Sequence, residues 1–99
     1  MITEIAIIDV DPAQAAAFES AVAKAGPLFQ AAEGCRGMAL ERVVERAGQY
    51  RLVVQWDSVD AHMTAFRNSA DFSRWRALAS PFFKGPVDMT HSELAARYF

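Results

Sequence analysis

A single cysteine, Cys35, stands among 99 residues. No internal disulfide can form, so the chain must hold its shape by packing, as a protein of the reducing cytoplasm does. As a lone thiol, Cys35 reads as a small packed hydrophobe rather than a nucleophile. Five glycines and four prolines are too scattered to build a phosphate-cradling loop. Neither a Walker pattern nor a nucleophile elbow is present, which argues against nucleotide and serine-hydrolase chemistry. No apolar run approaches the roughly 18–20 residues that cross a bilayer, and Met1–Val10 lacks the basic start of a secretory signal. Neither sign of charge dominates. A net charge of -2 offers no basic surface to nucleic acid or to an anionic membrane. Only two histidines occur, His62 and His91, and no carboxylate stands at metal-ligand spacing to either, so no metal is expected.

What the chain has is apolar content. Hydrophobic residues make up 53% and charged residues 22%, which fits one folded domain over residues 1–99 and excludes disorder. The apolar share is high for a small domain. An Ala-rich helix (Ala13 to Ala25) and a buried subunit interface both account for it, and both readings stay open at this level.

Periodicity orders the elements. Ile2–Val10 is a strand apolar on both faces, Ile5 and Ile7 on one, Ile2, Ala6 and Ile8 on the other, as a covered central strand is. Asp11-Pro12 starts a helix whose stripe is Phe18, Ala21, Val22, Ala25 and Phe29, with Gly26-Pro27 expected to end or kink it. Two strands joined by a turn at residues 46–49 form a hairpin, the second of them Tyr50–Trp56. Asp57 then caps a helix that sets Val59, His62, Met63, Phe66 and Ala70 on one side. A further helical piece spans Asp71–Ala79, and a last strand, Val87–Leu94, aligns Val87, Met89 and His91. The order β-α-β-β-α-β predicts an α+β fold, a ferredoxin-like sandwich: a four-stranded antiparallel sheet with both helices on one face.

Both histidines fall within apolar sets that face the helix–sheet layer. Two imidazoles converging in such a layer make a small-molecule site, with His62 and His91 handling protons. Tyr50 and Trp56 can add a hydroxyl and an indole N–H, and Phe66, Trp75 and Phe82 supply apolar walls. The competing reading makes each histidine a satisfied core or rim residue. Arg36, in the loop beside Cys35, is the arginine placed to act as a gatekeeper.

The strand entry Glu33-Gly34-Cys35-Arg36-Gly37, the strand YRLVVQW, the helix ending FRNSADFSRW and the closing strand with His91 resemble the antibiotic biosynthesis monooxygenase family, part of the dimeric α+β barrel superfamily. The resemblance implies a homodimer whose sheets pair face to face, each subunit keeping a pocket for a hydrophobic small molecule. It also implies oxidoreductase chemistry: a monooxygenase that needs no cofactor, deprotonating a quinol- or anthrone-like aromatic that then reacts with oxygen. The alternative within the same fold is a non-catalytic binding or sensing dimer. Two departures narrow the implication. Quinol-oxidising relatives often carry a histidine where this chain has Phe66. The asparagine and axial histidine of haem-degrading relatives are not matched, since the only asparagine is Asn68.

Overall fold

Alternation gives the first strand two apolar faces, and the fold uses them unequally. The computed structural model describes all residues, 1–99. In β1 (Ile2–Asp9), Glu4, Ala6 and Ile8 are buried under the helices, while Ile5 and Ile7 lie half-buried on the other face. The strands β2 (Cys35–Arg42), β3 (Gln49–Trp56) and β4 (Asp88–Glu93) complete a sheet of order β2-β3-β1-β4, antiparallel at every pair. This is the ferredoxin-like arrangement expected from the element order. β3 buries Tyr50, Leu52, Val54 and Trp56, the alternation written in its sequence.

Asp11 starts the first helical segment as expected: Ala13 N–H donates to its Oδ1 at 3.0 Å and Pro12 takes the first position. A 3-10 turn leads into α1 (Ala15–Gln30), which runs without a break through Pro27. Proline removes one helical hydrogen bond and crowds the preceding turn, a cost of about 3 kcal/mol. Packing beyond it offsets that cost. Phe29 is 2% exposed and meets the rings of Phe66, Trp75 and Trp56 at 4.8, 5.2 and 6.3 Å between centroids. The aromatic cluster therefore carries the helix past the proline.

The segment after β3 differs from a plain helix. Ser58, not Asp57, caps it, with Ala61 N–H donating to Ser58 Oγ at 3.1 Å. Asp57 is drawn away by Arg36, whose guanidinium grips both carboxylate oxygens at 2.8 and 2.9 Å on the open surface. That ion pair ties the start of β2 to the end of β3, and Arg36 borders a shallow depression between the end of α1 and the start of β2, apart from His62. Ala61–Phe66 then forms a π-helical turn, before α2 (Ala70–Ala79) resumes α geometry. Ser69 starts α2 by accepting from Phe72 N–H at 3.2 Å, and its own hydroxyl donates to the Phe66 carbonyl at 2.6 Å. Ser69→Ala is expected to cost about 1 kcal/mol in urea unfolding. A loss within 0.2 kcal/mol of zero (roughly the noise of such a measurement) would show the cap to be idle.

No helix is long and apolar enough to cross a membrane.

Candidate active site

Register places the first pair of site residues. Glu4 on β1 lies directly opposite His91 on β4, both on the helix-facing side, where cross-strand side chains stand close enough to interact. Trp56 ends β3 opposite Ile2, diagonal to Glu4, and its indole N–H donates to Glu4 Oε1 at 3.0 Å.

The π-helical turn delivers the third member. Arg67 N–H donates to the His62 carbonyl at 3.1 Å, a five-residue step in place of the usual four. Such single wide turns often re-aim a side chain at a functional site. The turn is seated against the strand entry at Gly34, where φ is +83° and a Cβ would stand 2.9 Å from the Ala61 Cβ. Only glycine fits both demands.

His62 is 4% exposed. Its ring lies on Trp56 at 5.1 Å and 17°, nearly parallel. Its Nε2 is 3.2 Å from Glu4 Oε1 and its Nδ1 is 2.8 Å from His91 Nε2. Glu4, His62 and His91 thus form one hydrogen-bonded chain from the buried sheet face to the half-exposed β4 edge.

Burial shifts both titratable groups at the inner end of the chain. Burial pushes the His62 pKa down from 6.5 to about 4, helped by positive charge at His91 and Arg67. Burial also pushes the Glu4 carboxyl up from its ordinary 4.5, against the Trp56 hydrogen bond and the Arg67 charge, which pull it down. At neutral pH His62 is therefore neutral, and its contact with Glu4 is a hydrogen bond rather than an ion pair. With Glu4 ionised, Trp56 and the His62 Nε2–H both donate to Oε1, and His62 Nδ1 accepts from the His91 Nε2–H. In that assignment both His62 ring nitrogens and Glu4 Oε1 have partners.

A cavity of about 600 Å³ opens on this chain. Glu4 and His62 stand in its wall with Ala6, Leu52, Trp75 and Met89, and the exposed Arg67, Arg76 and Asp88 charge its rim. The volume lies within the roughly 300–1,000 Å³ of ligand pockets, and an apolar wall with few convergent polar groups is their usual make-up. No three His, Cys, Asp or Glu side chains are grouped to hold a metal ion.

The structure thus brings His62 and Trp75 to one cavity, ties His91 to it only through His62, and sets Trp56 directly behind His62. Phe66 is buried one layer deeper, against Phe29, Trp56 and Phe72. Tyr50 and Phe82 are elsewhere. Six steps of strand separate Tyr50 from Trp56, roughly 20 Å. The Tyr50 hydroxyl donates to Glu19 Oε2 at 2.6 Å, beneath the bidentate Glu19–Arg42 pair. Phe82 packs on Phe18 at that same end, 6.0 Å between centroids, and its neighbour Phe83 lines the cavity instead. A second depression, about 710 Å³, borders Tyr50, but its carboxylate, Glu19, is already paired with Arg42 and holds the Tyr50 hydroxyl. Cys35 is half-buried, its thiol pushed up by burial, as suits a packed hydrophobe.

Sequence reasoning missed Glu4 and Arg67. The available signal for Glu4 was a lone carboxylate in phase with Ala6 and Ile8, on the apolar strand set that belongs to the core.

Known proteins place this architecture. Residues 1–78 match the model of the antibiotic biosynthesis monooxygenase family. A Bordetella bronchiseptica protein assigned to the same class superposes with a TM-score of 0.93 at 47% identity, over 96% of this chain and 97% of that one. SnoaB, a cofactor-independent oxygenase from Streptomyces nogalater, shares the fold with a TM-score of 0.75 at 19% identity, over 97% and 94% of the two chains. The uncharacterized protein YczJ of Bacillus subtilis is 28% identical over 83 residues, 84% of this chain and 87% of its own. With the family model covering most of its length and its fold shared from end to end, the chain belongs to the antibiotic biosynthesis monooxygenase family.

Proposed function

We propose that this protein is a cofactor-independent monooxygenase for a quinol- or anthrone-like aromatic, working as a cytoplasmic homodimer. The observation that carries the reading is the Glu4–His62–His91 chain, whose Glu4 and His62 stand in the wall of a cavity with apolar walls and a charged rim. The chemistry asks little more of a protein. An acidic aromatic gives up a proton, and the resulting anion passes an electron to oxygen. The two radicals join as a peroxide, which loses water to leave a quinone. Orientation, proton transfer and a dry site are the contributions required. His62 and His91 serve the proton step as members of the chain, and Trp75 and Met89 pack the ring system. The fold shared with SnoaB, described as a cofactor-independent oxygenase, supports the reading.

The homodimer reading rests on the outer sheet face. Ala39, Val53, Ile5 and Thr90 stand in one row across all four strands, and Ile7 lies beside it. A sheet with such a row gains by covering it with its like. Sedimentation is expected to give twice the 10.9 kDa chain mass, and Val53→Asp is expected to yield monomer. A monomer for the unaltered chain at micromolar concentration would overturn the dimer.

Oxygen uptake with anaerobically prepared hydroxyanthrones and hydroquinones tests the activity. Binding to the cavity without oxygen use would identify a binding or sensing dimer instead.

A further inference from the structure

His62 is the obvious base, yet its geometry denies it that task. Both ring nitrogens are engaged, Nδ1 with His91 and Nε2 with Glu4, and one face lies on Trp56. An imidazole held in this way presents no free lone pair to a ligand. The Glu4 carboxyl is different. Its Oε1 takes both Trp56 and His62, whereas Oε2 makes no hydrogen bond. No buried side-chain polar atom is left without a partner, so Oε2 must open to the cavity that Glu4 lines.

We propose that Glu4 Oε2 is the atom that takes the acidic hydrogen of the bound aromatic, with Trp56, His62 and His91 as positioning residues that hold the carboxylate by its other oxygen. The substrate class, a weakly acidic phenol, hydroquinone or anthrone, rests on the oxygenase reading above. In the step, the ligand O–H or acidic C–H bond breaks and its electron pair stays on the aromatic. An O–H bond forms at Oε2, and no electron changes owner. Negative charge passes from the carboxylate to the adjacent ligand, so the total inside the cavity is unchanged.

The charged and titratable groups around Glu4 suit this exchange. Arg67 follows the π-helical turn that carries His62, Arg76 comes from α2, Asp88 and His91 from β4, and Cys35 from β2. Arg67 acts on Glu4 before transfer and faces the anion that replaces it afterwards. Burial makes the carboxylate more basic than an exposed one, closer to what a base working near neutral pH needs.

The test uses the full chain with dithranol as probe. Glu4→Gln keeps the shape and an acceptor for Trp56. It should lower kcat about 10²–10⁴-fold, the usual worth of a positioned base, with KM changed by less than about threefold. The rise of kcat/KM with pH that reports ionisation of Glu4 should vanish in Glu4→Gln, and in His91→Gln it should persist with a shifted midpoint. A Glu4→Gln enzyme that keeps wild-type kcat and its acid limb overturns the inference and leaves the oxygenase reading intact. A second readout is independent of turnover. Saturating dithranol without oxygen should move the isotope-labelled Glu4 carboxyl resonance and its titration midpoint. If both stay fixed, Glu4 does not meet the ligand, whether or not oxygen is consumed. If they move while no oxygen is used, the oxygenase reading fails and the Glu4 contact stands.

Discussion

His62→Phe is expected to lower turnover of a hydroxyanthrone at least about 100-fold, the lower end of what proton-transfer groups contribute, with little change in fold. Phenylalanine fills the space and keeps the stack on Trp56, now 5.1 Å and 17°. What it removes is the pair of nitrogens between Glu4 and His91. Glu4 Oε1 then keeps only the Trp56 donor, and the carboxylate loses the second contact that fixes its plane. A hydrogen bond to a charged group is worth roughly 1.5–3 kcal/mol, and burial of an apolar ring in place of imidazole returns part of it. The unfolding free energy should therefore fall by less than about 2 kcal/mol. His91→Ala should act in the same direction with a smaller turnover loss, because it acts through His62. The opposite pattern, stability lost by about 2 kcal/mol or more with turnover untouched, would make His62 a packing residue.

The second large effect concerns acid. The unfolded chain binds a proton at His62 near its ordinary pKa of 6.5, while the folded chain refuses it down to about 4. Above 6.5 neither state carries the proton and the native state keeps its full advantage. As pH falls through the window between the two values, the unfolded state gains the proton first and stability is lost, by at most about 3 kcal/mol. Glu4 runs the other way. Its folded pKa lies above 4.5, so its buried charge costs stability at neutral pH, and that cost disappears as acid protonates it. The two partly cancel in the wild type. Comparison with His62→Phe isolates the histidine, since that variant keeps Glu4. Urea unfolding at a series of pH values from neutral to 4 should show the wild type losing about 3 kcal/mol relative to the variant. A gap that stays constant would mean that His62 titrates normally in the folded protein.

Much of this was legible in the sequence. The alternation Tyr50, Leu52, Val54, Trp56 names the core face of β3, and the spacing of Met89 and His91 puts that histidine on the same side of the sheet as Trp56. The helical side through His62 and Phe66 faces it. Two histidines were thus expected in one layer, and they lie 2.8 Å apart.

Three features were hidden for physical reasons. A strand with isoleucines on both faces does not declare which face is the core, so nothing singled out Glu4 as a buried carboxylate. A residue set that shares a face need not share a site. Tyr50 does face the helices, but strand rise carries it to the far end, where it is bound to Glu19, and the turn after α2 packs Phe82 on Phe18 there. Helical period also cannot reveal a π turn, because the extra residue is set by how Ala61 seats on Gly34 and not by a repeat. Competition between partners explains the smaller differences. Arg36 captures Asp57 and leaves the cap to Ser58, and the aromatic cluster at Phe29 outweighs Pro27.

The central claim is that this cavity removes a proton from an aromatic so that oxygen can react with it. An oxygen electrode reading on dithranol, begun anaerobically with no added metal, flavin or haem, tests it most directly. The account predicts uptake of one oxygen per substrate, with the corresponding quinone as product and a rate that collapses in Glu4→Gln. Uptake no faster than the protein-free background, with the probe demonstrably bound in the cavity, would contradict it.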